Sequence, residues 1–111
     1  MTREQELATL RDSSRREAQT PLEKAVANVI NEAQGLLDVA NREQKTDEGP
    51  VLASWLGTLL SASAPDAQIE FIAVVDPQTL QFLEYIEREA FVAIGAKTDS
   101  ERVVDGVLIR R

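Results

Sequence analysis

Ile69-Glu70-Phe71-Ile72-Ala73-Val74-Val75 is rich in β-branched and aromatic residues and almost wholly apolar, and Asp76-Pro77 follows it directly. The run reads as a strand, and as a central one covered on one face by helices. Proline breaks the ladder at Pro77, and Asp76, at the start of a turn, is placed to accept backbone amides. Downstream, Phe91-Val92-Ala93-Ile94-Gly95-Ala96 and Val103-Val104-Asp105-Gly106-Val107-Leu108-Ile109 read as two further strands. The polar link over residues 97–102 is short, which favours an antiparallel pair.

Upstream the periodicity changes from two to 3.6. Thr20-Pro21-Leu22-Glu23 has the layout of a capping box, with a hydroxyl for the first-turn amides, proline at the first helical position and a carboxylate reaching back. From it Leu22, Val26, Val29, Ile30, Ala33, Leu36, Leu37 and Ala40 lay one apolar stripe along a helix ending near Asn41. Residues 42–49 are polar and aperiodic, as in a solvated loop. Pro50 opens a second helix whose buried face is Val51, Leu52, Trp55, Leu56, Leu59 and Leu60, with Trp55 read as core, and Ser61-Ala62-Ser63-Ala64-Pro65-Asp66 stops it. Residues 1–16 mix charges of both signs around Leu7, Ala8 and Leu10, as in a mobile exposed arm or a short helix with little core of its own. The expected fold is therefore α+β, with two or three helices packed on one face of a small three-stranded, largely antiparallel sheet. Residues 1–16 form a polar arm and residues 17–111 a single domain.

Composition narrows the function. A chain of 111 residues supports one domain that buries roughly two-thirds of its unfolded surface. A net charge of -7 and a pI near 4.6 argue against nonspecific binding to nucleic acid or to an anionic membrane, which requires clustered Lys and Arg. The chain contains no cysteine and no histidine, which excludes disulfides, thiolate chemistry, Ser-His triads and the commonest zinc ligand. No apolar run approaches the ~20 residues of a membrane-spanning helix. Met1-Thr2-Arg3-Glu4-Gln5-Glu6 lacks the apolar core of a signal peptide, so the chain reads as cytoplasmic.

Three blocks carry a family resemblance: Ser13-Ser14-Arg15-Arg16, Thr20-Pro21-Leu22-Glu23, and Val75-Asp76-Pro77-Gln78-Thr79-Leu80. In this order and spacing they resemble the C-terminal domain of the pantothenate synthetase family, whose members carry Ser-Ser-Arg-Asn, a helix-opening Ser-Pro-Glu-Glu and a strand ending in Val-Asp-Pro-x-Thr-Leu. The resemblance runs from about Ser13 to Ile109. It departs from the family at Arg16, where the family has asparagine, at Ala18-Gln19, where it has tyrosine and leucine, and before Ser13, where Asp-Gly-Leu-Ala is missing.

The resemblance implies an ATP- and Mg2+-dependent ligase that adenylates pantoate, releases pyrophosphate and joins the acyl group to β-alanine with release of AMP. It implies that Ser13, Ser14 and Arg15 lie against the ATP phosphates, for which paired guanidinium donors and short hydroxyls are chemically suited. The nucleotide fold and substrate pockets belong to an N-terminal nucleotide-binding domain without counterpart here. The chain alone is thus expected to bind ATP weakly and to catalyse nothing, with no catalytic residue and no metal ligand of its own. A second reading is a free-standing, non-catalytic relative used as a protein-interaction or regulatory module. A third is a homodimer formed through Trp55, Leu56 and Leu60. Asp105 is read as pairing with Arg102 or closing a turn, and Arg110-Arg111 as a solvated terminus.

Overall fold

A computed structural model of the chain describes residues 2–43 and 48–111; Met1 and the centre of the polar loop, residues 44–47, lie outside the described residues. The elements run α1 (Arg3–Asp12), α2 (Pro21–Arg42), α3 (Gly49–Ser63), β1 (Gln68–Val75), β2 (Glu89–Lys97) and β3 (Arg102–Arg110). Local chemistry starts α2 as read: the Thr20 hydroxyl accepts from the Glu23 N–H at 3.1 Å, and the Glu23 carboxylate accepts from the Thr20 N–H at 3.2 Å. Every residue of the stripe is buried except Leu36, which is half-buried.

On α3 the buried side is narrower than the sequence implied. Leu52, Leu56 and Leu60, spaced by four, face the core, whereas Trp55 and Leu59 are each 38% exposed. Trp55 is therefore a flank residue and not a core one: α3 meets β1 and α2 along a single seam, and a residue one position before Leu56 falls about 100° away from it. Of the three residues expected to carry self-association, only Trp55 reaches the surface, since Leu56 and Leu60 are fully buried.

The sheet has the order β1-β2-β3 with both pairs antiparallel. This corrects the position of β1, which is an edge strand; β2 is central and is buried throughout from Ala90 to Ala96. The short connection between β2 and β3 obliges β3 to pair with β2 on the side that β1 leaves free. The apolar composition of β1 comes instead from cover on both faces.

Side chains alternate accordingly. Ile72, Val74, Val92, Ile94, Val103 and Ile109 point inward to α2 and α3, while Phe71, Ala73, Val75, Phe91 and Ala93 form a second, outer cluster around Leu7. So α2 and α3 share one face, as expected, and α1 covers the other. On the outer face two glycines make room for aromatic rings. A Cβ on Gly95 would come within 2.3 Å of the Phe71 ring, and one on Gly106 within 2.4 Å of the Phe91 ring. The outward edge of β3 is partly closed by Gln34 on α2, whose amide donates to the Arg110 carbonyl at 2.6 Å and accepts from the Arg110 N–H at 2.8 Å.

The charged N-terminal segment is thus a helix docked on the sheet, with Leu7 only 2% exposed. Arg102 on β3 donates to both Glu6 oxygens at 2.8 and 2.9 Å and to Glu70 at 2.9 Å. Glu70 has no β2 partner because the register shifts between Ile69 and Phe71, a bulge that turns its carboxylate toward Arg102. Arg3 stacks on Phe71 at 3.8 Å, and Arg11 donates to the Pro77 carbonyl at 2.9 Å. The Arg102 guanidinium, which donates hydrogen bonds to Glu6, holds the Glu6 carboxyl below its ordinary value of 4.5.

A carboxyl depressed in the folded state contributes stability above its unfolded pKa and loses it as pH falls through the folded pKa. Acidification below about pH 4 is therefore expected to release α1 before the α2–α3 core yields. Amide exchange along Arg3–Asp12 reads this directly, and Glu6→Gln should remove the pH dependence. Unchanged α1 protection down to pH ~3 would rule out the Glu6 link.

Candidate functional site at the β3 edge

Residues 13–19 carry the chain from α1 on the outer face to α2 on the inner face, and so pass the open edge of β3. Between this segment and β3 lies a groove of about 480 Å³, lined on one side by Ser13, Ser14, Arg15 and Arg16 and on the other by residues 101–106. All three sequence-selected residues stand on the same wall, and residues 13–17 are exposed.

Their bonding differs. Ser13 is the C-cap of α1, and its hydroxyl donates to the Thr9 carbonyl at 2.5 Å, so it is tied to the end of that helix. Ser14 is open to solvent. Arg15 is engaged on three of its donors: Nε and Nη2 reach the two oxygens of Asp105 at 3.1 and 2.7 Å, and Nη1 reaches Asn31 Oδ1 on α2 at 2.8 Å. Asp105 pairs with Arg15 and not with Arg102, because Asp105 lies on the inward series of β3 and Arg102 on the outward one, where Glu6 and Glu70 already fill its donors. Asn31 escaped the sequence reading, and Asp105 was read there with another partner; no local pattern links residues 16 and 90 positions away from Arg15.

Other charges shape the groove. Glu101 on the facing wall accepts from the Thr20 hydroxyl at 2.9 Å, while Arg16 is exposed. Ser14 and Arg16 present donors that suit phosphate oxygens, as Ser13 and Arg15 would once released from Thr9 and Asp105, but Glu101 and Asp105 oppose an anion from across the groove. Among the described residues, no group of three or more Asp, Glu, His or Cys side chains is arranged to hold a metal ion. No helix among them is long and apolar enough to cross a membrane.

The Asp76 turn is structural, as read. Its carboxylate accepts from the N–H groups of Gln78 and Thr79 at 2.8 and 2.9 Å, and these bonds hold its pKa below 3.8. Leu80 completes the turn with φ of 62° and packs in the outer cluster. The terminal arginines are less free than expected: Arg110 lies in β3 beside Glu89 at 3.6 Å, and Arg111 Nε donates to Asn41 at 3.1 Å.

This helix order and three-stranded antiparallel sheet have counterparts among solved structures. Two crystal structures of pantothenate synthetase from Thermus thermophilus superpose with TM-scores of 0.56 and 0.51, at 17% and 15% identity, over 81% of this chain and 32% of theirs. Among curated proteins, the chain is similar to the pantothenate synthetase of Solidesulfovibrio magneticus, 30% identical over 96 residues, covering 86% of this chain and 33% of that one. It is also similar to the bifunctional pantoate ligase/cytidylate kinase of Acaryochloris marina, 43% identical over 63 residues, covering 57% of this chain and 12% of that one. The resemblance carried by the three motifs is therefore matched in sequence and in fold, to the C-terminal part of these ligases. The chain spans a third or less of the length of these two curated relatives. No protein-family model matches it.

Proposed function

We propose that the chain is the C-terminal domain of an ATP-dependent, AMP-forming ligase that condenses pantoate with β-alanine in the cytoplasm. It acts as a lid over ATP and is inactive without an N-terminal nucleotide-binding domain, in the same chain or a separate one. The similarity over 86% of its length to the Solidesulfovibrio magneticus pantothenate synthetase carries this reading. In such a ligase ATP, with Mg2+, would supply the adenylyl group that activates the pantoate carboxylate, with pyrophosphate as the leaving group. The work left to this chain is positioning and charge stabilisation: Ser14 offers a free hydroxyl donor, Ser13 one that must first leave the Thr9 carbonyl, and Arg15 a planar fork at the groove rim. One wall without an adenine or acyl pocket gives marginal affinity, which is why the isolated domain is inactive.

Reconstitution tests the proposal. Mixed with an N-terminal half of a related pantothenate synthetase, the chain is expected to restore AMP formation dependent on both pantoate and β-alanine. ATP should then shift the NMR signals of residues 13–15. An inert mixture with unmoved signals would sink the ligase reading. It would instead favour a non-catalytic interaction module, a reading supported by the engagement of Arg15 with Asp105 and by Arg16 at the family's asparagine position.

A further inference from the structure

Arg15 is the anchor of its segment. Among the described residues it makes all the side-chain hydrogen bonds of residues 14–19, two to Asp105 and one to Asn31. We infer that Asp105 is an internal competitor for the anion Arg15 would bind: in the free domain its carboxylate fills the guanidinium fork, and a phosphate group enters only as the pair parts. The inference rests on the ligase reading above, whose groove it describes.

Three observations carry it. First, the contact is the two-point one, through Nε and Nη2, by which arginine grips either a carboxylate or a phosphate, so the two anions compete for the same N–H vectors. Second, the pair is built to open. Its side chains are 36% and 21% exposed, and Asp105 Oδ1 also accepts from the Gly106 N–H at 2.8 Å. A released carboxylate keeps a backbone donor and water, so parting leaves no naked buried charge. Third, Asn31 contributes a neutral tether on the remaining nitrogen, which keeps Arg15 near the groove when Asp105 lets go.

Pyrophosphate is the probe, titrated at low ionic strength into the whole 111-residue chain while the backbone amide signals of residues 13–16 and 101–106 and, where present, the Arg15 Nε–Hε signal are followed. Asp105→Asn is expected to tighten binding about fivefold, the upper range for a partly exposed pair. Asn31→Ala, which loosens the tether without changing charge, should move it less than about twofold. Adding Arg15→Ala to Asp105→Asn should abolish the gain. In the unsubstituted chain, saturation should shift the Asp105 carboxylate carbon together with Arg15, a readout that does not depend on any variant folding. The inference is overturned if Asp105→Asn binds no tighter, if Asn31→Ala gains as much, if the gain survives loss of Arg15, or if the Asp105 signal stays fixed at saturation. The ligase reading stands or falls separately, on AMP formation by the reconstituted, unsubstituted enzyme.

Discussion

Arg15→Ala is expected to lower AMP formation by the reconstituted ligase about 10²- to 10³-fold, the usual cost of removing one preorganised donor from a site of developing negative charge. The loss should fall on kcat more than on KM. Charge accumulates on the departing pyrophosphate as the reaction proceeds, so a contact made there is stronger in the transition state than in the bound ground state. Stability should hardly change, because the Arg15–Asp105 pair is partly exposed and such pairs contribute about 0–1 kcal/mol. Arg15→Lys should recover only part of the rate, since an ammonium supplies charge but no planar fork. Activity within threefold of the unsubstituted enzyme, at a matched melting temperature, would take Arg15 out of the phosphate site.

The other large effect concerns the fold. Leu56→Ala should destabilise the domain by about 2–5 kcal/mol, through lost transfer energy and the cavity left behind. Leu56 is fully buried on α3 and belongs to the inner core cluster with Ile30, Val74 and Ile94. A domain of this size has roughly 5–15 kcal/mol in hand, so a drop in Tm on the order of 10–20 °C follows. Trp55→Ala, one position away and partly exposed, should cost clearly less. Equal losses at the two positions in urea or thermal unfolding would contradict the seam described for α3.

What the sequence disclosed and what it hid divide along range. The α2 cap, the helix stop after Ser63 and the Asp76 turn are built from residues within a few positions of one another, so their chemistry could be read directly. The edge position of β1 depends on which strands neighbour it, and its apolar run is the same whether cover comes from sheet neighbours or from helices on both faces. Leu7 was visible as an anchor, but its cluster is assembled from β1 and β2 far along the chain. The groove shows the same split. Ser13, Ser14 and Arg15 stood out by motif, whereas the contacts with Asp105 and Asn31 that decide what state Arg15 is in became visible only when three distant segments came together.

The passage of residues 13–19 along β3 has one more consequence. An open strand edge invites addition of a foreign strand, and among the described residues β3 has no strand on its far side. Gln34 masks one end of that edge at Arg110, while the segment pinned by Arg15 stands guard over its middle at Asp105. Arg15 thereby holds the 13–19 segment alongside that edge, beside the anion contact proposed for it. A ligand that draws Arg15 away from Asp105 is therefore expected to loosen that segment and leave the β3 edge more open to strand pairing.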